Sequence, residues 1–183
     1  MRLSILACSG ALLSTLACGG GASSDVAPAI TLNYTNPTTA NADWQLVKDS
    51  TSSTSRLVLD LMAPTAPTVT SGQGITLILT TDTSKATWAT FSSGSYVSGL
   101  PYATPLLANK ASVNGSALRI VVAQNPAGSA TYSNAPVLQV ALNMASGAAI
   151  GSGSLTVASA YHLSRDATSD ITSSIDLGTI AVK

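Results

Sequence analysis

An all-β fold, a two-sheet antiparallel β-sandwich of about nine strands, is predicted by three features of this 183-residue chain. Apolar residues recur with a period of two in short segments. Clusters of Gly, Pro, Asn, Ser and Thr separate those segments, and no stretch carries a clear period of 3.6. Composition agrees: 45% of residues are hydrophobic, only 9% are charged, and every acid is Asp. Without Glu the chain lacks the usual material of helix faces, and Glu-based glycosidase pairs, HExxH metalloprotease sites and the last ligand of an EF-hand loop are excluded. Eight basic residues balance eight acidic ones, so no basic patch for nucleic acid is present.

The strands follow in chain order. Weak alternation marks Ile30 to Tyr34 and Trp44 to Lys48. In Arg56 to Met62, Leu57, Leu59 and Leu61 alternate with Val58 and Asp60, which buries one face and turns the other toward water or a loop. Ile75, Leu77 and Leu79 repeat the pattern around Thr76 and Ile78. A weaker segment runs from Thr87 to Phe91. Leu118, Ile120 and Val122 alternate with Arg119 and Val121, then Leu138, Val140 and Leu142 with Gln139 and Ala141. Leu155 and Val157 begin another strand, and Ile180 and Val182 belong to the last. Nine strands are too many for one open sheet with a bare face, so two sheets must pack together. Ile78 and Val121 at outward positions make the second faces partly apolar.

Turn chemistry sets the boundaries. Ser71-Gly72-Gln73-Gly74 precedes one strand, Asn114-Gly115 gives a strong hairpin signal before another, and Ser152-Gly153 precedes a third. Ser92 to Ala111, with Pro101 and Pro105, lacks alternation and is expected to be the longest irregular connection. Long loops often carry function, although a crossover between sheets is as good a reading.

The N-terminus has a different character. Met1-Arg2 supplies a positive start, and the apolar stretch Leu3 to Leu16 is shorter than the about 20 residues needed to span a bilayer. Residues 1–17 are read as a signal peptide. Thr15-Leu16-Ala17-Cys18-Gly19 resembles the lipobox of bacterial lipoproteins, with Ala17 at the small position and Cys18 as the lipidated residue; Thr15 stands where the family usually has Leu. Ile5-Leu6-Ala7-Cys8 matches the letters better but leaves almost no apolar region ahead of it. An ordinary signal-peptidase cut that leaves Cys18 a free thiol is the plain alternative. Residues 18–28 read as the lipidated Cys followed by a flexible Gly/Ala/Ser tether, and 29–183 as one sandwich domain. That domain contains no cysteine, so no disulfide staples it. The resemblance implies a cell-envelope lipoprotein of the outer membrane, facing the periplasm or the cell surface and held by its N-terminal lipid.

The order of the later segments resembles cohesin-like domains over roughly residues 55 to 183. The residues that carry the likeness are Arg56 to Met62, Gly74-Ile75-Thr76-Leu77-Ile78-Leu79, Leu118 to Gln124, Val137 to Asn143 and Gly153 to Val157. Ala160-Tyr161-His162-Leu163-Ser164-Arg165-Asp166, Asp170-Ile171 and Gly178-Thr179-Ile180-Ala181-Val182 complete it. The resemblance implies a nine-stranded jelly-roll sandwich that docks other modules across a sheet face. No motif identifies the partner, and residues 30–50 lie outside the match.

The chemistry on offer is sparse. His162, the only His, is followed by Ser164, Arg165 and Asp166, which are parts of a hydrolase triad without the GxSxG context. Its strand position favours a packing role. Asp166 and Asp170 with Ser164 and Ser169 are weighed as Ca²⁺ ligands, but they lack a DxDxDG loop, and a solvated turn is the better reading. No cofactor motif is present. Trp44, Trp88, Tyr96, Tyr102 and Tyr132 are candidates for a sugar-stacking platform; Trp88 reads as core, Trp44 as more open. Tyr96 and Tyr102 are expected to form the exposed aromatic pair of the ligand-binding loop. The leading expectation is a non-enzymatic, lipid-anchored binding module for an envelope protein. A carbohydrate-binding surface lipoprotein and a structural envelope subunit are the alternatives, and a hydrolase is disfavoured.

Cys18→Ser is expected to release the protein from the membrane fraction while the domain stays folded, because residues 19–28 have no apolar pattern with which to join a core. Acyl labelling followed by fractionation checks this, and a membrane-retained mutant would overturn the lipobox reading.

Overall fold

Strands form where the period-two segments predict them. In a computed structural model of the chain, residues 29–38, 43–65, 69–125, 128–132 and 135–183 are described; the signal peptide, Cys18 and the tether lie outside them. The elements are β1 (Leu32–Thr35), β2 (Trp44–Lys48), β3 (Arg56–Met62), β4 (Ser71–Gly72), β5 (Gly74–Thr81), β6 (Ala86–Ala89), β7 (Val97–Ser98) and β8 (Leu106–Asn114). They continue with β9 (Ala117–Gln124), β10 (Ala130–Thr131), β11 (Leu138–Met144), β12 (Gly151–Gly153), β13 (Leu155–Leu163), β14 (Thr168–Asp170), β15 (Ile175–Leu177) and β16 (Thr179–Val182). A single 3₁₀ turn, Thr172–Ser174, is the only helical element among the described residues.

Two large sheets make the sandwich. The front sheet runs β15-β2-β3-β11-β6, with β7 also pairing β11, and the back sheet runs β14-β13-β5-β9-β8. A small sheet, β1-β16-β12, joins the first and last described strands, and β10 and β4 form a two-residue pair. All pairs but one are antiparallel; β15 lies parallel to β2. The weak segment Trp44–Lys48, outside the cohesin-like stretch, is therefore an interior strand of the front sheet.

The leucine rows meet between the sheets. Leu57, Leu59 and Leu61 of β3 and Leu138, Val140 and Leu142 of β11 are fully buried, as are Ile75, Leu77 and Leu79 of β5 and Leu118, Ile120 and Val122 of β9. Their alternating neighbours turn outward. On the front sheet that outer face is partly roofed, because β6 and β7 are two halves of one edge strand: Ala89 faces Ala141 and Val97 faces Val140, while residues 90–96 loop out between them. Phe91 from this loop packs on Val58, Ala89 and Ala141. The Arg56 guanidinium lies 5.6 Å from the Phe91 ring centroid and donates to Asn143 Oδ1 and to the Thr90 carbonyl.

Tyr34 ties β1 to both neighbours. Its hydroxyl donates to the Leu46 carbonyl at 2.7 Å and accepts the Gly178 N–H at 2.6 Å, and burial pushes its pKa up to about 12. Gly178 must be glycine, since a Cβ there would sit 1.9 Å from the Thr35 carbonyl oxygen.

Two expectations need correction. Ser92 to Ala111 is not one long irregular connection, because β7 and the start of β8 lie within it. A bulge between Leu106 and Ala108 shifts the register of β8, so its side chains do not alternate in sequence even though the backbone is a strand. Trp44 is not open: it is 3% exposed. Its polar neighbours Asp43 and Gln45 are what the opposite phase of a half-buried strand requires. The Asn114-Gly115 hairpin is present, with Gly115 at φ +60° in the two-residue turn between β8 and β9.

Leu77→Ala and Ile120→Ala, which empty the centre of the back sheet's inner face, should each cost about 2–5 kcal/mol of stability. Thermal or denaturant melts measure this, and a loss below about 1 kcal/mol, the scale of surface positions, would contradict the assigned face.

Candidate functional site

The back sheet presents the more open of the two outer faces, and a single bulge decides which residues stand on it. In β13 the register shifts between Val157 and Ser159. Before the shift Leu155 points inward; after it, Ala160 and His162 do, and Tyr161 is turned out. Without the bulge Tyr161 would fall on the core side and His162 on the solvent side.

Three rows of outward residues cross the sheet. One runs Asp170, Tyr161, Thr76, Val121, Lys110; the next Ser159, Ile78, Arg119, Ser112; the third Thr156, Thr80, Ala117, Asn114. The hydroxyls of Thr80 and Thr156 bond to each other across the strands. Val121 is 41% and Tyr161 39% exposed. Leu107, 72% exposed, sits at the bulge of the edge strand β8. Three of the five exposed large hydrophobic side chains among the described residues thus belong to this sheet. Three charges stand in these rows: Lys110 and Asp170 on the edge strands β8 and β14, and Arg119 on the interior strand β9 beside Ile78. Such a surface of Thr, Ser, aliphatic groups and one Tyr can take a partner by shape and apolar contact. It contains no acid–base pair.

The predicted aromatic platform is mostly inside. Trp44, Trp88, Tyr102 and Tyr132 are each no more than 8% exposed. Trp88 donates its indole N–H to the Ser116 carbonyl at 2.7 Å. Tyr102 was expected to be an exposed ligand contact; instead its ring is buried and its hydroxyl lies 3.1 Å from that of Tyr132. An apolar ring beside Pro101 fills the end of the core better than it would stand in water. Tyr96 is half-buried and packs against the core cluster. The two tyrosines therefore do not form a pair of open rings.

His162 belongs to the same interior cluster. Its Nε2 lies 3.3 Å from the Tyr132 hydroxyl, its ring donates to the Ser71 carbonyl, and its centroid is 5.1 Å from that of Trp44. Gly72 passes so closely that a Cβ would meet Tyr132 Oη at 2.0 Å and His162 Nε2 at 2.3 Å. Burial lowers the His162 pKa against the opposing effect of the Ser71 carbonyl. Burial also raises both tyrosines, Tyr132 to about 12. The other members of the triad candidate are occupied in turns: the Ser164 hydroxyl bonds the backbone of Ala167, and Asp166 is exposed. Asp170 accepts the Thr172 N–H at 2.9 Å, and the Thr172 hydroxyl and N–H hold its pKa below the usual value. No group of three or more His, Cys, Asp or Glu among the described residues could hold a metal ion.

Sequence reasoning missed Tyr161. Strict alternation from Leu155 places it inside, and only the bulge brings it out. Val121 and Ile78 were visible as apolar residues at outward positions. Comparison of the chain with family models, curated proteins and solved structures returned no match.

A neutral, buried His162 predicts a pH dependence of definite sign. The unfolded chain takes up a proton near the ordinary pKa of about 6.5, while the folded one resists it, so stability is full above that value and falls as pH drops through it. Between about pH 7.5 and 5.5, above the carboxylate range, the melting temperature should fall with acidification. His162→Phe, which removes the titration, should flatten this slope; an unchanged slope would place the titrating group elsewhere.

Proposed function

We propose that this protein is a lipid-anchored envelope module that docks a second protein on the outer face of its back sheet, as cohesin-like domains do with other modules. The observation that carries the reading is the open face on which Val121 and Tyr161 stand exposed beside half-buried Ile78 and Thr76, with Lys110, Arg119 and Asp170 among them, in a molecule whose other large sheet is partly roofed by the loop bearing Phe91. The two packed, mainly antiparallel sheets are the architecture expected of such domains. The leader and Cys18 supply the envelope address.

A glycan reading has less to work with. Stacking on sugar requires open rings, and the structure leaves Tyr161 and the half-buried Tyr96 for that purpose. A hydrolase would need a carboxylate at the ring of His162, whose assigned contacts are Tyr132, Trp44 and the Ser71 carbonyl. A purely structural subunit would leave the open face without a role.

The test is capture from the native envelope with a photoreactive group at Val121 or, as a control, at Thr87 on the outer face of the front sheet. A discrete protein adduct at Val121 and none at Thr87 is expected. Val121→Arg should weaken binding of the captured partner about tenfold or more without lowering the melting temperature. Adducts at Thr87 alone would move the interface to the front sheet.

A further inference from the structure

The two exposed large hydrophobic residues outside the back sheet, Ile30 and Ile150, lie at one end of the molecule. In the small sheet, Val182 pairs with Leu32 on one side and Gly151 on the other. One residue further out, Thr31 and Lys183 exchange backbone hydrogen bonds at 2.8 and 3.0 Å. Ile150 immediately precedes β12 and Ile30 precedes Thr31, so both stand at the rim where the described chain begins. Ile150 is 71% and Ile30 42% exposed. Neither position is needed to close the core, since Leu32, Ile180 and Val182 already do so. The Lys85 ammonium donates to the Ala149 carbonyl at 2.8 Å, beside Ile150.

We infer that this rim is a membrane-contact surface, with Ile30 and Ile150 seated in the lipid interface and the sandwich standing on that end. The inference rests on the anchored reading of Cys18, and the chain length makes it geometrically demanding. From Cys18 to Ala29 is eleven steps, so Ala29 can lie no farther than about 40 Å from Cys18. An anchored tether of this length keeps the rim at high effective concentration next to the bilayer, so two exposed aliphatic side chains suffice for contact that they could not sustain on a free protein. The occupant is thus the lipid surface to which residue 29 is leashed. Because the contacting groups are apolar, contact should survive high salt.

The experiment bypasses the natural modification. The chain from Cys18 onward, whose sole thiol is Cys18, is coupled to maleimide-bearing lipid in vesicles of phosphatidylethanolamine and phosphatidylglycerol. Variants Ile150→Trp and Asp166→Trp are compared in vesicles with and without brominated acyl chains. Trp44 and Trp88 are buried and give a constant background. Asp166 lies beyond the other end of β13, roughly 30 Å from β12 at strand rise. Expected is bromolipid quenching of the indole introduced at 150, unchanged by salt, with none at 166. Adding Ile30→Asp should reduce it. Equal quenching at both positions, or none at 150 while the protein remains coupled, overturns the inference. So does self-association through Ile150 in the absence of vesicles. Failure of Cys18 to acquire acyl groups in cells would sink the anchored reading by a separate measurement, without altering the vesicle result.

Discussion

Phase is the constraint on which the structure depends. With no cysteine in its body, no α-helix among the described residues and few charges, the domain is held by aliphatic rows from two sheets that must all point inward together. A shift of one residue in any strand would put its row in water and its hydroxyls in the core. The rows of β3, β5, β9 and β11 keep strict alternation for this reason. Departures occur where a partner strand is missing or a side chain needs re-aiming: the bulges of β8 and β13 and the looped-out residues 90–96. Each departure also shapes the surface. The first leaves Leu107 exposed, the second turns Tyr161 out and His162 in, and the third roofs part of the front sheet with Phe91.

Legibility in the sequence follows the same rule. Leu57 to Leu61, Ile75 to Leu79, Leu118 to Val122 and Leu138 to Leu142 were readable because one side of each is fully buried and the other is not, so the period of two reaches the letters undistorted. Leu106 to Asn114 was not readable: a bulge near its start and its place at a sheet edge blur the pattern. The parallel partner of β2 was also hidden, since a three-residue strand carries too few positions to show a period. Trp44 shows a different kind of error. The polar neighbours Asp43 and Gln45 suggest exposure, although in a strand they testify to the opposite face.

The candidate site was legible only in part, and the aromatics explain why. Two Trp, five Tyr and one Phe are all the rings this chain has, and the fold uses most of them at places where strands end and aliphatic packing gives out. Trp44, Tyr102, Tyr132 and His162 plug one end of the sandwich, where Gly72 lets the backbone pass. Tyr34 joins the N-terminal strand to β2 and Gly178. Rings that a loop-based reading assigns to ligands are thereby committed to stability. What remains outside is aliphatic and hydroxylated, a surface suited to shape-matched docking and poor in the groups that stacking or acid–base chemistry requires.

The two proposed surfaces constrain one another. β13 starts at Leu155, just after β12 of the small sheet, and runs to Leu163 at the opposite end; Tyr161 stands near its far end, about 20 Å from Leu155 at strand rise. A sandwich resting on Ile30 and Ile150 therefore holds its back sheet upright, with the rows of Tyr161 and Val121 raised clear of the headgroups and facing along the membrane plane. The same protein lying on its back sheet would bury Val121 and Tyr161 against lipid and leave nothing for a partner. Apolar residues on the rim and on the face are compatible only if each has its own occupant.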